Sequence, residues 1–202
     1  MPKKLALMIK TFDFYFDFVS PYSFLAHRQI RKIEKKEGIK IRYKPILVGG
    51  LHNLHGIKAP AFIPAKAKHM IRDCKLVAAK NGVKFKFNSY FPIRSLNLMR
   101  GVIVAEEDNI KSYYVDSIFN TIWQDGLNMN DQVIVEKVLK NLNVNPKTFL
   151  LRSTSSLIKD SLRKKTNDAY EKGIFGAPTF VVNNKIFWGQ DRIEFALVES
   201  NK

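Results

Sequence analysis

Residues 11–19 read Thr-Phe-Asp-Phe-Tyr-Phe-Asp-Phe-Val and run directly into Ser20-Pro21. Phe12, Phe14, Phe16 and Phe18 alternate with Asp13, Tyr15 and Asp17, and a period of two with aromatic enrichment specifies a strand. The next apolar residues, Phe24, Leu25, Ile30 and Ile33, recur at helical spacing until Gly38. Ser20 suits the N-cap of that helix and Pro21 its first turn. Alternation resumes over residues 39–46, with Pro45 marking the strand's end because it has no N–H for the ladder. The chain therefore opens with a β-α-β unit, whose crossover is right-handed by rule.

The tail returns to β-structure. Residues 179–182 and 185–188 flank Asn183-Asn184, a two-residue loop suited to positive φ and hence to a hairpin; a last helix covers about 192–199. Between these ends, residues 58–173 show helical periodicity and no convincing strand. Helices are predicted over about 64–80, 95–108, 111–124, 131–142 and 155–171, set apart by Gly, Asn or Pro. The order β-α-β then β-β-α, with helices on both faces of a small mixed sheet, is the thioredoxin arrangement. The expected fold class is α/β: a discontinuous thioredoxin-like domain of residues 1–57 and 174–202, carrying an inserted all-helical domain of residues 58–173. No internal repeat or long linker is present, so the two parts are expected to pack as one unit.

Composition narrows the chemistry. With 46% hydrophobic and 26% charged residues, the chain can bury a core without staples. Cys74 is the single cysteine, so neither an intrachain disulfide nor a CxxC pair can form, and dithiol oxidoreductase chemistry is excluded. Its helical neighbours Ile71, Leu76 and Val77 suit a small buried hydrophobe rather than a reactive thiol. The apolar run from Leu5 to Ile9 is too short for a secretory signal, and no stretch is long enough to span a bilayer. A reduced, cytoplasmic protein is expected. Lysine and arginine total 34 against 18 acidic residues, a net +16, and residues 1–100 hold the whole excess with 21 basic and 5 acidic side chains. That asymmetry fits an anionic partner, whether nucleic acid, an acidic surface or a small carboxylate. It also fits a lysine-rich solvated surface, and no aromatic-interleaved basic motif of the kind that stacks bases accompanies it.

Two local features carry chemistry. At Ser20 a strand delivers a hydroxyl to a helix start, where free N–H groups and the positive dipole end stabilise a thiolate or carboxylate; the same serine could simply cap the helix. In Gly173-Ile174-Phe175-Gly176-Ala177-Pro178-Thr179-Phe180, a proline immediately precedes a strand. A cis bond there would turn the Ala177 N–H and C=O toward an extended peptide ligand, whereas a trans bond would make this a plain loop-to-strand proline.

Together with Phe187-Trp188-Gly189-Gln190-Asp191-Arg192, these segments closely resemble the 2-hydroxychromene-2-carboxylate isomerases and the kappa-class glutathione transferases. The matching pieces run through nearly the whole chain: Asp-Phe-Val-Ser-Pro-Tyr-Ser-Phe-Leu-Ala ending at Ala26, Phe91-Pro92 with Ser95, Asn97 and Arg100, Phe-Gly-Ala-Pro-Thr-Phe, and Trp188 to Arg192. In this order and spacing they are specific. The resemblance implies a thioredoxin-like domain with a helical insertion, glutathione as thiol cofactor and commonly a homodimer. By position, Ser20 stands at the family's catalytic serine and would hold the glutathione sulfur rather than attack. Ala177 and Pro178 would pair with the tripeptide backbone. Gln190 and Asp191 match positions that bind the γ-glutamyl end, with Trp188 and Gly189 shaping that pocket; Asp191 could instead cap the last helix. Phe91, Pro92, Ser95, Asn97 and Arg100 lie where the family places the substrate wall, and Arg100 reads either as an anion contact or as a surface ion pair.

After Leu47-Val48-Gly49-Gly50 the chain departs from the family. His52 or Asn53 falls at the position of a usual lysine, and Ile57 falls near that of a usual asparagine. A histidine there could contact a substrate carboxylate or assist proton transfer. His52 and His55 have no Cys, Asp or Glu at ligand spacing, so a metal site is not expected. The resemblance implies a glutathione-dependent isomerase. It would interconvert 2-hydroxychromene-2-carboxylate, a small aromatic carboxylate, and trans-o-hydroxybenzylidenepyruvate, within aromatic hydrocarbon breakdown and with no nucleic-acid or membrane partner. A kappa-like transferase or peroxidase would use the same Ser20, and a non-enzymatic basic binding protein would use the lysine-rich half alone.

Overall fold

The computed structural model describes residues 11–37 and 39–202; the Leu5 to Ile9 run and the Gly38 helix stop lie outside them. Strand β1 (Thr11–Phe16) leads into helix α1 (Pro21–Glu37) and strand β2 (Lys40–Pro45). Helix α2 (Val48–Leu54), a 3-10 turn (Pro60–Phe62) and helices α3 (Pro64–Lys80), α4 (Leu96–Glu107), α5 (Lys111–Trp123), α6 (Gln132–Asn141), α7 (Pro146–Ser153) and α8 (Ser156–Glu171) follow. The chain closes with β3 (Thr179–Val182), β4 (Lys185–Trp188), a 3-10 turn (Gln190–Arg192) and α9 (Ile193–Ser200). Four strands form one mixed sheet in the order β2-β1-β3-β4, β1 and β2 parallel and the other two pairings antiparallel. This is the α/β thioredoxin-like fold with a helical insertion.

Register explains the aromatic alternation. Phe14 pairs with Tyr43 on one side and Phe180 on the other, and Phe180 pairs with Phe187, so an aromatic row crosses all four strands. Phe14 meets Tyr43 edge-on at 5.2 Å between ring centres and lies 5.4 Å from Phe180. Such pairs add to their area burial and are favoured in cores. The rings face α1 and the helices of the insertion in one continuous apolar core, which takes in Phe12, Phe24, Met99 and Trp123. A smaller core of Tyr15, Ile46, Leu51, Ala169 and Ile174 covers part of the opposite face beneath α2 and α8.

Within the first core, His27 is fully buried. Its Nδ1 lies 2.7 Å from the Tyr43 hydroxyl and its Nε2 lies 2.7 Å from Asp116 Oδ1. Burial lowers the His27 pKa against the pull of Asp116, so the ring is neutral. Burial raises Asp116, but hydrogen bonds and charge from His27 and Arg31 outweigh it and hold the carboxyl below its ordinary value. An ionised carboxylate only accepts, so Nε2 carries the proton and Tyr43 donates to Nδ1. This relay ties α1 to β2 and α5.

Two expectations need correction. The first strand stops at Phe16 rather than Val19, because the Asp17 side chain accepts from Val19 N at 3.1 Å and its carbonyl accepts from Ser20 N at 3.1 Å, closing a turn. Helices α2 and α7 were absent from the sequence-based prediction. The hairpin is as expected: Asn183 and Asn184 have φ of 48° and 62°.

Candidate active site

The Asp17 turn fixes where Ser20 sits, at the N-cap of α1. Its Oγ accepts from Ser23 N at 3.1 Å, which is the capping bond, and donates to Ala177 O at 3.0 Å. Both readings of this serine therefore hold at once: it caps the helix, and it meets the loop before β3. The Ala177–Pro178 bond is cis. Pro178 O accepts from Gly189 N at 3.0 Å, and Thr179 Oγ1 donates to Gly176 O at 2.7 Å, so this loop is pinned to the β3–β4 ladder.

Around this junction lie the other residues expected of a tripeptide site. A Cβ on Gly176 would stand 2.7 Å from Trp188 Nε1, so only glycine lets the indole cross the loop. Trp188 and Phe175 pair at 5.0 Å between ring centres and leave an exposed aromatic rim. Gly189 has φ of +117°, and a Cβ there would stand 2.6 Å from Asp191 Oδ1. Gln190 Oε1 accepts from Gln29 Nε2 at 3.1 Å, holding the second 3-10 turn against α1. Asp191 pairs with Arg192 at 3.0 Å and stays half exposed.

Beneath Ser20 the sequence reading missed a residue. Asp17 is fully buried. Its Oδ2 accepts from Val48 N, the first residue of α2, at 2.9 Å. Burial pushes its pKa up, against the pull of the Ser95 hydroxyl and of the Val48 and Val19 N–H groups. Cys74 is also fully buried, and burial followed by the Asp73 charge pushes its thiol up to about 12. A thiol at that value supplies no thiolate at neutral pH.

The substrate-side residues are more scattered. His52 is half-buried on α2 and its Nδ1 is enclosed without a hydrogen-bond partner among the described residues; burial, then the neighbouring His55, lowers its pKa. Asn53 beside it is exposed. Phe91 packs on Phe87 and Trp123 at 5.2 and 5.9 Å, and Trp123 Nε1 donates to Phe18 O at 2.9 Å, which sets Phe91 behind the Ser20 loop. Phe91–Pro92 is a second cis bond, with Pro92 exposed. Arg100 donates to Asn97 Oδ1 at 3.0 Å while its Nε is enclosed without a partner among the described residues. Among the described residues, no hydrogen bond joins His52, Asn53, Phe91, Pro92 or Arg100 to Ser20 or Ala177. His55, weighed in the sequence only as a metal ligand, instead donates from Nε2 to Ile174 O at 2.9 Å and lies 4.5 Å from the Tyr170 ring. Asp17 had a signal, its place inside the Asp-Phe-Val-Ser-Pro run, whereas nothing in the sequence marks His55 as a partner of Ile174.

Comparison with known proteins gives the family and the fold. A family model described as a DSBA-like thioredoxin domain matches residues 11–198. A 2-hydroxychromene-2-carboxylate isomerase of Sphingobium xenophagum is 30% identical over 190 residues, covering 93% of this chain and 96% of that protein. Glutathione S-transferase kappa 1 of Caenorhabditis elegans is 28% identical over 195 residues, covering 89% and 86%. A solved 2-hydroxychromene-2-carboxylate isomerase superposes with a TM-score of 0.86 at 24% identity, covering 93% of each chain.

Proposed function

Because the chain belongs to the DSBA-like thioredoxin domain family, and within it to the 2-hydroxychromene-2-carboxylate isomerases, we propose that this enzyme interconverts 2-hydroxychromene-2-carboxylate and trans-o-hydroxybenzylidenepyruvate with glutathione as cofactor. One observation carries the reading: the Ser20 hydroxyl stands at the N-terminus of the 17-residue α1 and touches the carbonyl of Ala177, the residue before cis-Pro178. A DSBA-like site with serine here has no thiol of its own, and buried Cys74 cannot replace it. The donor set fits a cysteine-containing peptide brought from outside. It offers a hydroxyl and a helix N-terminus for sulfur, the Ala177 backbone for the peptide, and Gln190 and Asp191 for an ammonium-carboxylate end.

When bound, glutathione supplies a nucleophilic sulfur that can add to and leave a conjugated ring system, so the tripeptide is regenerated. The chain's own residues do the rest. With the thiol in place the Ser20 hydroxyl would turn its single proton from Ala177 O to the sulfur, and the positive end of the α1 dipole favours the anionic thiolate over the thiol, whose ordinary pKa is about 8.5. Asp191 faces the γ-glutamyl ammonium in this reading. Arg100, whose guanidinium only donates, and His52 orient the substrate carboxylate. Their contribution to rate comes through orientation and a preorganised field.

The test is calorimetric titration with glutathione in two buffers of different ionisation heat, which counts protons released. Binding with proton release that shrinks in Ser20→Ala supports the assignment, and no binding by the wild type overturns it. Incubation with the chromene carboxylate then separates the activities of the two sets of relatives: an isomerase leaves free thiol constant through turnover, whereas a transferase of the kappa kind consumes it.

A further inference from the structure

We propose that α2 is a brace for the catalytic junction, with Asp17 and His55 as its positioning residues; the functional consequence rests on the Ser20–glutathione reading above. The residues form a closed circuit. Ser20 Oγ donates to Ala177 O at 3.0 Å, joining the two loops that make the site. Three residues before Ser20, the Asp17 carboxylate accepts from the first N–H of α2 at 2.9 Å. Three residues before Ala177, the Ile174 carbonyl accepts from His55, immediately past the end of α2, at 2.9 Å. One short helix thus grips both loops, one with each end.

Packing agrees with the bonding. Leu51, in the middle of α2, is fully buried in the smaller core with Ile174, and Ala177 packs against the same cluster. Leu47, the residue that should cap α2, offers no side-chain cap. The carboxylate that satisfies the orphan N–H instead comes from Asp17, 31 residues away in sequence. A helix with Gly49 and Gly50 in its first turn has low intrinsic propensity, so α2 is held by tertiary contacts: these two anchors, buried Leu51, and the bond from Leu47 N to Thr166 Oγ1 at 3.0 Å. Releasing either anchor lets Ala177 shift relative to Ser20, and small displacements at a reacting centre are costly in rate and affinity.

The experiment compares wild type, His55→Ala, His55→Gln and Asp17→Asn by amide hydrogen exchange without ligand and by glutathione titration. His55→Gln keeps an N–H donor and serves as the rescue. Expected in His55→Ala is faster exchange both at residues 174–177 and, across the junction, at residues 19–24, with glutathione bound about fivefold more weakly, the scale of one lost hydrogen bond. His55→Gln should return both readouts to within about twofold of wild type. Asp17→Asn, loosened from the other end, should speed exchange at residues 174–177. Faster exchange confined to residues 174–177 in His55→Ala, or wild-type glutathione affinity in that variant, overturns the brace. Should wild type bind no glutathione while exchange in the two loops still rises together, the brace stands as a structural device and the glutathione assignment falls. Should His55→Ala not fold, the comparison of Asp17→Asn with His55→Gln carries the same decision.

Discussion

At the scale of single residues, the site depends on groups that each do two things. Ser20 caps α1 and meets Ala177, so Ser20→Ala removes a cap worth about 1 kcal/mol along with the hydroxyl proposed to hold the sulfur. Chemical denaturation should therefore show a modest loss of stability beside a much larger loss of activity. Gly189 is the opposite case, a residue whose role is entirely conformational. At φ of +117° an L side chain is strained, and its Cβ would collide with Asp191 Oδ1. Gly189→Ala should cost about 1–3 kcal/mol, read as a fall in urea midpoint. It should also displace Asp191 and weaken glutathione binding, whereas a surface control such as Gly82→Ala, strained but with open space around its Cβ, should affect stability alone.

At the scale of elements, α1 is locked in place by the Tyr43–His27–Asp116 relay, and this makes stability depend on pH. The His27 pKa is lowered in the fold, so the unfolded chain takes up a proton near its ordinary value of about 6.5 while the native ring stays neutral. The stability this relay contributes is complete above that value and is lost as pH falls below it. Urea denaturation should show the protein less stable at pH 5.5 than at pH 7.5, with half-buried His52 adding in the same direction. His27→Gln should remove most of that slope. The Asp116 pKa is lowered, so its contribution persists through this range and goes only as pH drops through the carboxylate region. Two elements were illegible in the sequence for related reasons. Helix α2 contains Gly49-Gly50 and takes its cap from Asp17, beyond the reach of any local pattern. Helix α7 opens with Asn145 and Pro146, which read as punctuation but are a cap and a first-turn proline: the Asn145 side chain accepts from Thr148 N at 3.1 Å.

At the scale of the whole molecule, the net +16 means that like charges repel across the folded surface. Ion pairs such as Arg152 with Glu107 and Asp108 offset part of this locally, yet the excess remains. Raising sodium chloride from about 0.05 to 0.5 M shortens the screening length severalfold. It should raise the midpoint of thermal unfolding by a few degrees; a fall would mean that the ion pairs outweigh the net repulsion. What the sequence determined by itself was the strand that delivers Ser20, the proline before β3, the asparagine hairpin, the long helices of the insertion and the absence of a dithiol, because each is written in neighbouring residues through period, propensity or count. The tertiary structure alone decided that Ser20 donates to Ala177, that Asp17 caps a distant helix, that His55 holds Ile174 and that Arg100 and His52 each keep a buried nitrogen without a partner among the described residues. Those depend on bonds between residues as much as 157 positions apart. Such partners are chosen by how the sheet and its covering helices pack, and no local pattern records that.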